Sequence, residues 1–237
     1  MFFSRITLKP EVGRIQLLKQ MGRNQYQLHQ LLWNLFEGKS TRKNGKGKEL
    51  ADFHYRADYP DKRLLVYLVS DREPKNRDGI WDIQSRLYEP VIEKGQTWQF
   101  YLRVNPTISL YGRTKNKRHD GLMHAKRLLQ QSFEEQNRTP DRYEIWAAQQ
   151  SAAKDWLIKR ESKIGAYIDP ANLIIDNYRQ EIVVTNSSDD GIRFSSVDLT
   201  GLFTITEPEK LKEILFRGLG KSKAFGCGLM LVKRIAE

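Results

Sequence analysis

The order of the predicted strands and helices restricts the fold of this chain more than any other feature of its sequence. Hydrophobic periodicity and turn residues divide the first part of the chain into six elements. In chain order they are a strand (2–8), a helix (24–38), the two strands of a hairpin (52–58 and 63–70), a short helical or irregular piece (80–87) and a strand (88–92). This order, β-α-β-β-(α)-β, is typical of the split-βαβ or ferredoxin-like fold.

The second part of the chain repeats the order of elements without repeating the residues. Its predicted elements are a strand (97–106), a charged region whose clearest helix is 143–165, two strands (173–185 and 192–205), a helix (207–220) and a last strand (228–235). We therefore expect an α+β protein of two tandem ferredoxin-like (RRM-like) βαββαβ domains packed side by side. The boundary is predicted near 93–96, which divides the chain into domains 1–94 and 95–237.

The charge of the chain indicates the kind of partner it binds. Its 40 Lys and Arg exceed its 29 Asp and Glu, which gives a formal net charge of +11 and a pI of about 9.6. Such an excess favours a polyanionic partner, although a soluble protein with a merely basic surface is the alternative. The single cysteine, Cys227, excludes an intramolecular disulfide and a thiolate-rich zinc site, and we expect it only to pack.

The hydropathy pattern bears on location. No apolar run approaches the roughly 18 residues that a membrane-spanning helix needs. The first residues also lack the apolar region and the cleavage site of a signal peptide. We therefore expect a cytoplasmic protein without a membrane partner.

A glycine-rich loop precedes the last predicted strand. Residues 218–228 hold four glycines and two lysines, and glycine allows backbone N–H groups to approach a phosphate closely. A Walker loop would need glycine where Leu215 stands, and a dinucleotide fingerprint would need it where Lys223 stands. The loop also runs from a helix to a strand, so no helix N-terminus faces a ligand. We therefore expect no nucleotide cofactor.

A helix end would explain one of these glycines, but four of them in two Gly-X-Gly pairs require more. The loop resembles the glycine-rich loop of the CRISPR-associated repeat-RNA endoribonucleases. Over nearly its full length the chain resembles their CasE family, the crRNA-processing subunit of type I-E Cascade. The resemblance is carried, in this order along the chain, by residues 26–36, 100–107, 156–167 and the glycine loop.

Two residues of the first predicted helix are candidates for catalysis. Tyr26 and His29 are three residues apart on one flank of its apolar stripe, where they can face a common ligand. The alternative is a half-buried pair that only satisfies hydrogen bonds. The resemblance implies that both occupy catalytic positions, with His29 as general acid or base and Tyr26 positioning the 2′-hydroxyl of RNA or assisting proton transfer. Histidine suits proton transfer because its pKa lies near neutral pH.

The resemblance implies a metal-independent endoribonuclease that cleaves precursor CRISPR RNA at the base of the repeat hairpin. The 2′-hydroxyl of the RNA is then the nucleophile, the product carries a 2′,3′-cyclic phosphate, and the protein keeps the crRNA among the other Cascade subunits. A non-catalytic RNA-hairpin-binding module of the same fold is the alternative. A metal-dependent nuclease would need clustered carboxylates, and the only Asp-Asp pair, Asp189–Asp190, lies in a predicted turn. Of the other histidines, His54 is expected to have a cross-strand structural role.

Basic residues in two segments, 111–127 and 159–163, are expected to contact phosphates along the hairpin stem. Taken alone, each segment is also compatible with a solvated charged face. The candidate RNA-binding residues, including those of the glycine loop, are Arg23, Lys115, Lys117, Arg118, Lys159, Arg160, Lys163, Gly218, Gly220, Lys221, Lys223, Gly226 and Gly228.

Overall fold

The structure is a computed structural model that describes residues 1–10, 25–40, 42–43, 49–110, 117–185 and 188–235. Contacts within the chain divide it into two compact units. The first unit comprises 1–91, 182–192 and 215–229, and the second comprises 92–181, 193–214 and 230–237. The glycine loop, which the sequence-based division assigns to the C-terminal domain, thus packs as part of the first unit.

In its described residues, the first unit has an α-helix packed on a four-stranded sheet. Its elements are β1 (Phe2–Leu8), α1 (Gln25–Trp33), the short pair β2 (Arg42–Lys43) and β3 (Glu49–Leu50), β4 (Phe53–Asp58), β5 (Leu65–Ser70) and β6 (Trp81–Leu87). The strand order of the sheet is β4-β5-β1-β6, and every neighbouring pair is antiparallel. The predicted hairpin is therefore confirmed, and the strand order is that of a ferredoxin-like domain.

Alternation along the strands gives this sheet two distinct faces. Ile6 of β1 stands opposite Val66 of β5, and both are fully buried against α1. From the helix, Leu28 and Leu32 complete this core at a spacing of one turn. Each such buried side chain contributes about 1.5–3 kcal/mol through removal of apolar surface from water.

The end of the first unit differs from the sequence prediction. The fourth strand is β6 and not 88–92, and an irregular connection takes the place of the second helix. The side chain of Asn76 explains how this connection leads into the strand, since its amide accepts from the backbone N–H of Trp81 at 3.1 Å and donates to the Trp81 carbonyl at 2.7 Å. The buried indole of Trp81 anchors the start of β6 in the core.

The second unit is built around a second sheet. Its elements, some of whose ends belong to the first unit, are β7 (Thr97–Val104), β8 (Thr107–Leu110), β9 (Lys117–Asp120), α2 (Gly121–Glu134), α3 (Arg142–Ile158), α4 (Glu161–Ile164), β10 (Ala166–Ile168), β11 (Ile174–Thr185), β12 (Ser188–Ile205), α5 (Pro208–Arg217) and β13 (Met230–Arg234). The strand order is β10-β12-β7-β13, with β11 also paired to β12. With the first sheet, this order confirms the predicted α+β fold of two ferredoxin-like domains.

The long helix predicted over 143–165 is interrupted. Asp141 begins α3 through a capping box with Glu144, and the helix ends at Ile158. Arg160 then starts the short α4, which ends at Gly165 in a left-handed conformation with φ 75°. The break matters for function because it lies within the basic segment predicted to contact RNA.

Asp189 and Asp190, predicted in a turn, lie instead in β12, which begins at Ser188. The predicted first residue of the helix 24–38 lies outside the described residues. Within the described part of the chain, no helix has both the length and the apolar character to cross a membrane.

Candidate active site

The helix α1 positions both candidate catalytic residues. Leu28 and Leu32 hold it to the sheet, and Tyr26 and His29 lie half-buried on the flank beside these leucines. The flank is the one expected from the spacing of the residues.

Aromatic side chains surround the imidazole of His29. Its ring centroid lies 5.2 Å from that of Phe53, 5.9 Å from that of Trp33 and 6.2 Å from that of Tyr55, with the Tyr55 ring nearly parallel to it. The Nδ1 atom is buried and has no hydrogen-bond partner among the described residues. Burial lowers the pKa of His29 to about 4, because the surroundings disfavour the imidazolium. At neutral pH the ring is therefore uncharged and can accept a proton.

Tyr55 connects the helix to the glycine loop and was not identified from the sequence. Its hydroxyl donates toward the carbonyl of Ala224 at 3.0 Å and lies 3.3 Å from the carbonyl of Gln25 at the start of α1. Burial raises the pKa of the Tyr55 hydroxyl, so the hydroxyl remains a donor. An aromatic residue two positions after Phe53 on the same strand was the available signal, but its partner at Ala224 is 169 residues away.

Two glycines of the loop, Gly218 and Gly228, are required by its own packing. The N–H of Leu219 donates to the carbonyl of Gly228 at 2.8 Å and closes the loop. A Cβ at Gly228 would lie 2.6 Å from the Leu219 carbonyl oxygen, and one at Gly218 would lie 2.9 Å from that of Gly228. Both glycines also have positive φ, 91° and 72°.

The loop wraps the outer edge of β4, which is the edge strand of the first sheet. On one face of the strand Gly218 approaches His54, and on the other Gly226 approaches Tyr55. Gly218, Gly226 and Gly228 are buried, which leaves little of their surface for RNA and gives them the role of shaping the loop. Cys227, also within it, is fully buried and packs as predicted.

The lysines of the loop face outward to different degrees. Lys221 is exposed, whereas Lys223 and Gly220 are half-buried. The ammonium of Lys223 donates to the carbonyl of Arg217 at the end of α5. Lys221 is thus the loop cation most open to a ligand.

His54 lies beneath the loop and is 1% exposed. Neither of its ring nitrogens has a hydrogen-bond partner within the described part of the chain. Burial, together with the nearby charges of Lys223 and Arg42, lowers its pKa to about 3. The carboxylate of Asp71 opposes this shift, and it accepts two hydrogen bonds from Arg42, at 2.7 and 2.8 Å. This burial fits the structural role expected for His54.

The second unit carries the other basic candidates. Lys159 and Lys163 are exposed on either side of the break between α3 and α4. The guanidinium of Arg160 is held over the ring of Trp156, 3.7 Å from its centroid, and donates to the Trp156 carbonyl. Burial lowers the pKa of Arg160. The three side chains therefore form one basic segment in which only Arg160 is fixed by its neighbours.

Some predicted residues have no described side chain. Arg23 and Lys115 lie outside the described residues, and of Lys117 and Arg118 only the backbone is described, in β9. Within the described ranges, no cluster of three or more His, Cys, Asp or Glu could hold a metal ion.

Comparison with known proteins adds a family and a fold. The family model described as "CRISPR associated protein" matches residues 1–234. No curated protein matches the chain.

Among solved structures, the CRISPR-associated protein Cas6e from Escherichia coli K-12 is similar, with a TM-score of 0.64 and 18% identity over 99% of this chain and 100% of that one. Thermus thermophilus Cse3, bound to an RNA representing a pre-cleavage complex, gives a TM-score of 0.65 and 20% identity over 98% of both chains. A chain of a CRISPR RNA-guided surveillance complex in its pre-nicking state gives a TM-score of 0.66 and 16% identity, over 99% of this chain and 100% of that one. At these identities the likeness establishes the fold.

Proposed function

The chain belongs to the family of CRISPR-associated proteins, and from that premise we propose that it is an endoribonuclease that cleaves precursor CRISPR RNA at the base of the repeat hairpin. The observation that carries this proposal is the pair Tyr26 and His29 on one flank of α1, with the imidazole uncharged at neutral pH. An uncharged imidazole has a nitrogen lone pair that can take up the proton of a sugar hydroxyl.

The proposed reaction needs no group beyond the RNA and the protein. His29 removes the proton from the 2′-hydroxyl, and the 2′-oxygen attacks the adjacent phosphorus. The bond from phosphorus to the 5′-oxygen then breaks, that oxygen takes up a proton from solvent, and the imidazolium of His29 returns its proton to solvent. The products are a 2′,3′-cyclic phosphate and a 5′-hydroxyl. Tyr26 positions the attacking hydroxyl, while Tyr55 acts as a positioning residue because it fixes the start of α1 to the loop.

Cations are proposed to bind the RNA backbone at two places. One is the basic segment of Lys159, Arg160 and Lys163, where Arg160 is preorganised by its contact with Trp156. The other is the outward part of the glycine loop at Lys221. Both supply the positive charge that a hairpin stem requires and that the net charge of +11 reflects.

The proposal extends to location, partners and domain division. Similar structures are described as bound to a 19-nucleotide RNA and as parts of an RNA-guided surveillance complex. By analogy, this chain keeps its product and joins the other subunits of Cascade in the cytoplasm. We also propose that the boundary between the two domains lies near residue 94, which the division of the chain at residues 91 and 92 supports, with the loop returning to the first domain.

The test is cleavage of a labelled CRISPR repeat hairpin in EDTA, with a matched hairpin that carries 2′-deoxyribose at the scissile nucleotide. We expect the unmodified hairpin to be cut, and both the deoxy hairpin and the His29→Ala protein to give binding without cleavage. Cleavage of the deoxy hairpin would contradict attack by the 2′-hydroxyl. Binding of all hairpins without any cleavage by the natural protein would instead identify an RNA-binding module.

A further inference from the structure

The sheet of the first unit has a second face, on the side opposite α1. Register assigns its members: Arg5 of β1 stands between Tyr67 of β5 and Gln84 of β6, and Phe3 stands opposite Arg86. These residues alternate with Ile6 and Val66, which face the helix, so they point to the other side. We call these five residues the open sheet face.

One end of this side of the sheet is covered by the chain itself. His54 and Val69 are buried there, and Tyr88 packs between Phe3 and Phe216, with ring centroids 5.4 and 5.6 Å away. At the other end Arg5 and Gln84 are exposed and Tyr67 is half-buried. The open sheet face therefore begins where this cover stops.

Aromatic rings lie at that border. The rings of Phe3 and Tyr67 are stacked, with centroids 6.1 Å apart and planes at 28°. The guanidinium of Arg86 lies 5.7 Å from the centroid of Phe3. Aromatic rings on the sheet of an RRM stack two or three unpaired RNA bases. Here two rings occupy adjacent strands of a sheet with the same topology.

A basic pocket shares Arg5 with the open sheet face. It has a volume of about 310 Å³ and is lined by Arg5, Lys62, Arg63 and Asp82 together with apolar side chains of β1 and β5. Three cations against one carboxylate make the pocket attractive to anions. A base stacked on the rings and a phosphate bound in the pocket would belong to neighbouring parts of one RNA strand.

We propose that the open sheet face binds single-stranded RNA, with Tyr67 and Phe3 stacking unpaired bases and Arg5, Lys62 and Arg63 contacting phosphates. The inference rests on the proposed function, because the RNA bound here would be the unpaired nucleotides that flank the repeat hairpin. It adds a second site to that function, because His29 lies on the helix side of the same sheet against Phe53 and Tyr55.

The test compares the natural protein with the double variant Arg5→Glu/Tyr67→Leu. Three RNAs are used: a repeat hairpin with an unpaired tail of about ten nucleotides, the same hairpin without the tail, and an unstructured oligonucleotide of the tail sequence. Lys212→Glu, which reverses an exposed charge on α5, is the control for net charge. Tyr67→Phe keeps the ring and controls for folding, together with the circular dichroism of each variant.

We expect the double variant to bind the oligonucleotide about 10-fold or more weakly, since one stacked base contributes about 1–3 kcal/mol. The tailed hairpin should lose its advantage over the tailless one, while cleavage of the tailless hairpin stays unchanged. Tyr67→Phe and Lys212→Glu should bind the oligonucleotide like the natural protein.

Equal binding of the oligonucleotide by the double variant and the natural protein would overturn the inference. An equal loss of binding to the tailless hairpin would overturn it as well. So would a double variant that binds all three RNAs like the natural protein and only fails to join other protein subunits. If no hairpin is ever cut but the oligonucleotide result holds, the proposed function fails and the second site remains.

Discussion

His29 and His54 lie near the same sheet but in different surroundings, and the difference distinguishes a candidate catalytic histidine from a structural one. Both histidines belong to the first unit, and burial lowers the pKa of each. His29 is half-buried on the flank of α1, next to aromatic rings. His54 is sealed under the glycine loop, where cations reinforce the effect of burial. In the proposed mechanism the uncharged imidazole of His29 acts as a base, whereas that of His54 only packs.

Replacing each histidine in turn tests this comparison most directly. We expect His29→Ala to lower the rate of hairpin cleavage by about 10²–10⁴-fold, the usual contribution of a general base. The His54→Leu protein should cleave within about threefold of the natural rate, because His54 is buried under the glycine loop and does not lie on the flank of α1 that carries His29. Single-turnover cleavage at saturating protein measures both. A loss in His54→Leu as large as that in His29→Ala would contradict the assignment.

The loop that seals His54 is tested by Gly228→Ala. The added Cβ meets the Leu219 carbonyl at 2.6 Å, and the residue has φ of 91°, so we expect a loss of about 3 kcal/mol or more in the free energy of unfolding. Gly79→Ala is the matched control, since Gly79 also has positive φ, 70°, but has nothing within 4 Å of an added Cβ. It should lose only about 1 kcal/mol. Urea unfolding distinguishes the two, and equal losses would show that strain alone matters.

Acid should lower the free energy of unfolding through His54, because its imidazole takes up a proton more readily in the unfolded chain. The folded pKa of about 3 for His54 is below the unfolded value of 6.5, so its contribution is complete above pH 6.5 and declines as pH falls toward 3. At pH 5 the loss is roughly 2 kcal/mol from this group. His54→Leu should remove that part of the pH dependence, while the part due to His29 remains. Unfolding measured at pH 7 and pH 5 checks this, and an unchanged slope would refute it.

The smallest effect concerns the link between the two regions. Tyr55→Phe removes the donor to Ala224 and should cost about 1 kcal/mol of stability. Because α1 loses its fixed start, we also expect cleavage to fall several-fold with little change in RNA affinity. Comparison of kcat with KM detects this, and a change in affinity alone would mean that Tyr55 acts by contacting RNA.

The sequence predicted those parts of this molecule that depend on local pattern. Leu28 and Leu32 recur at helical spacing, and the turn between β4 and β5 separates two runs of apolar and aromatic residues. The strand β6 was not predicted: residues 80–87 were interpreted as a short helical or irregular piece, although Trp81, Ile83 and Ser85 alternate with polar residues as in a half-buried strand. Arg160 and Glu161 are ordinary helix formers, so the break between α3 and α4 had no local signal.

The candidate site was only half predictable for the same reason. The position of Tyr26 and His29 on one flank follows from helix geometry. The aromatic surroundings of His29 come from β4, and the packing of the glycine loop depends on the meeting of Gly218 with His54 across more than half of the chain. Such contacts are tertiary and leave no periodicity in the sequence.

The position of the glycine loop in the chain has a consequence for how the protein is made. Residues 215–229 belong to the first unit but follow most of the second unit along the chain, so they leave the ribosome after it. Until they arrive, they do not cover the edge of β4, and Tyr55 lacks its partner at Ala224. The helix that carries His29 therefore receives this support only after most of the second unit has been synthesised, and a chain that stops before residue 215 lacks it.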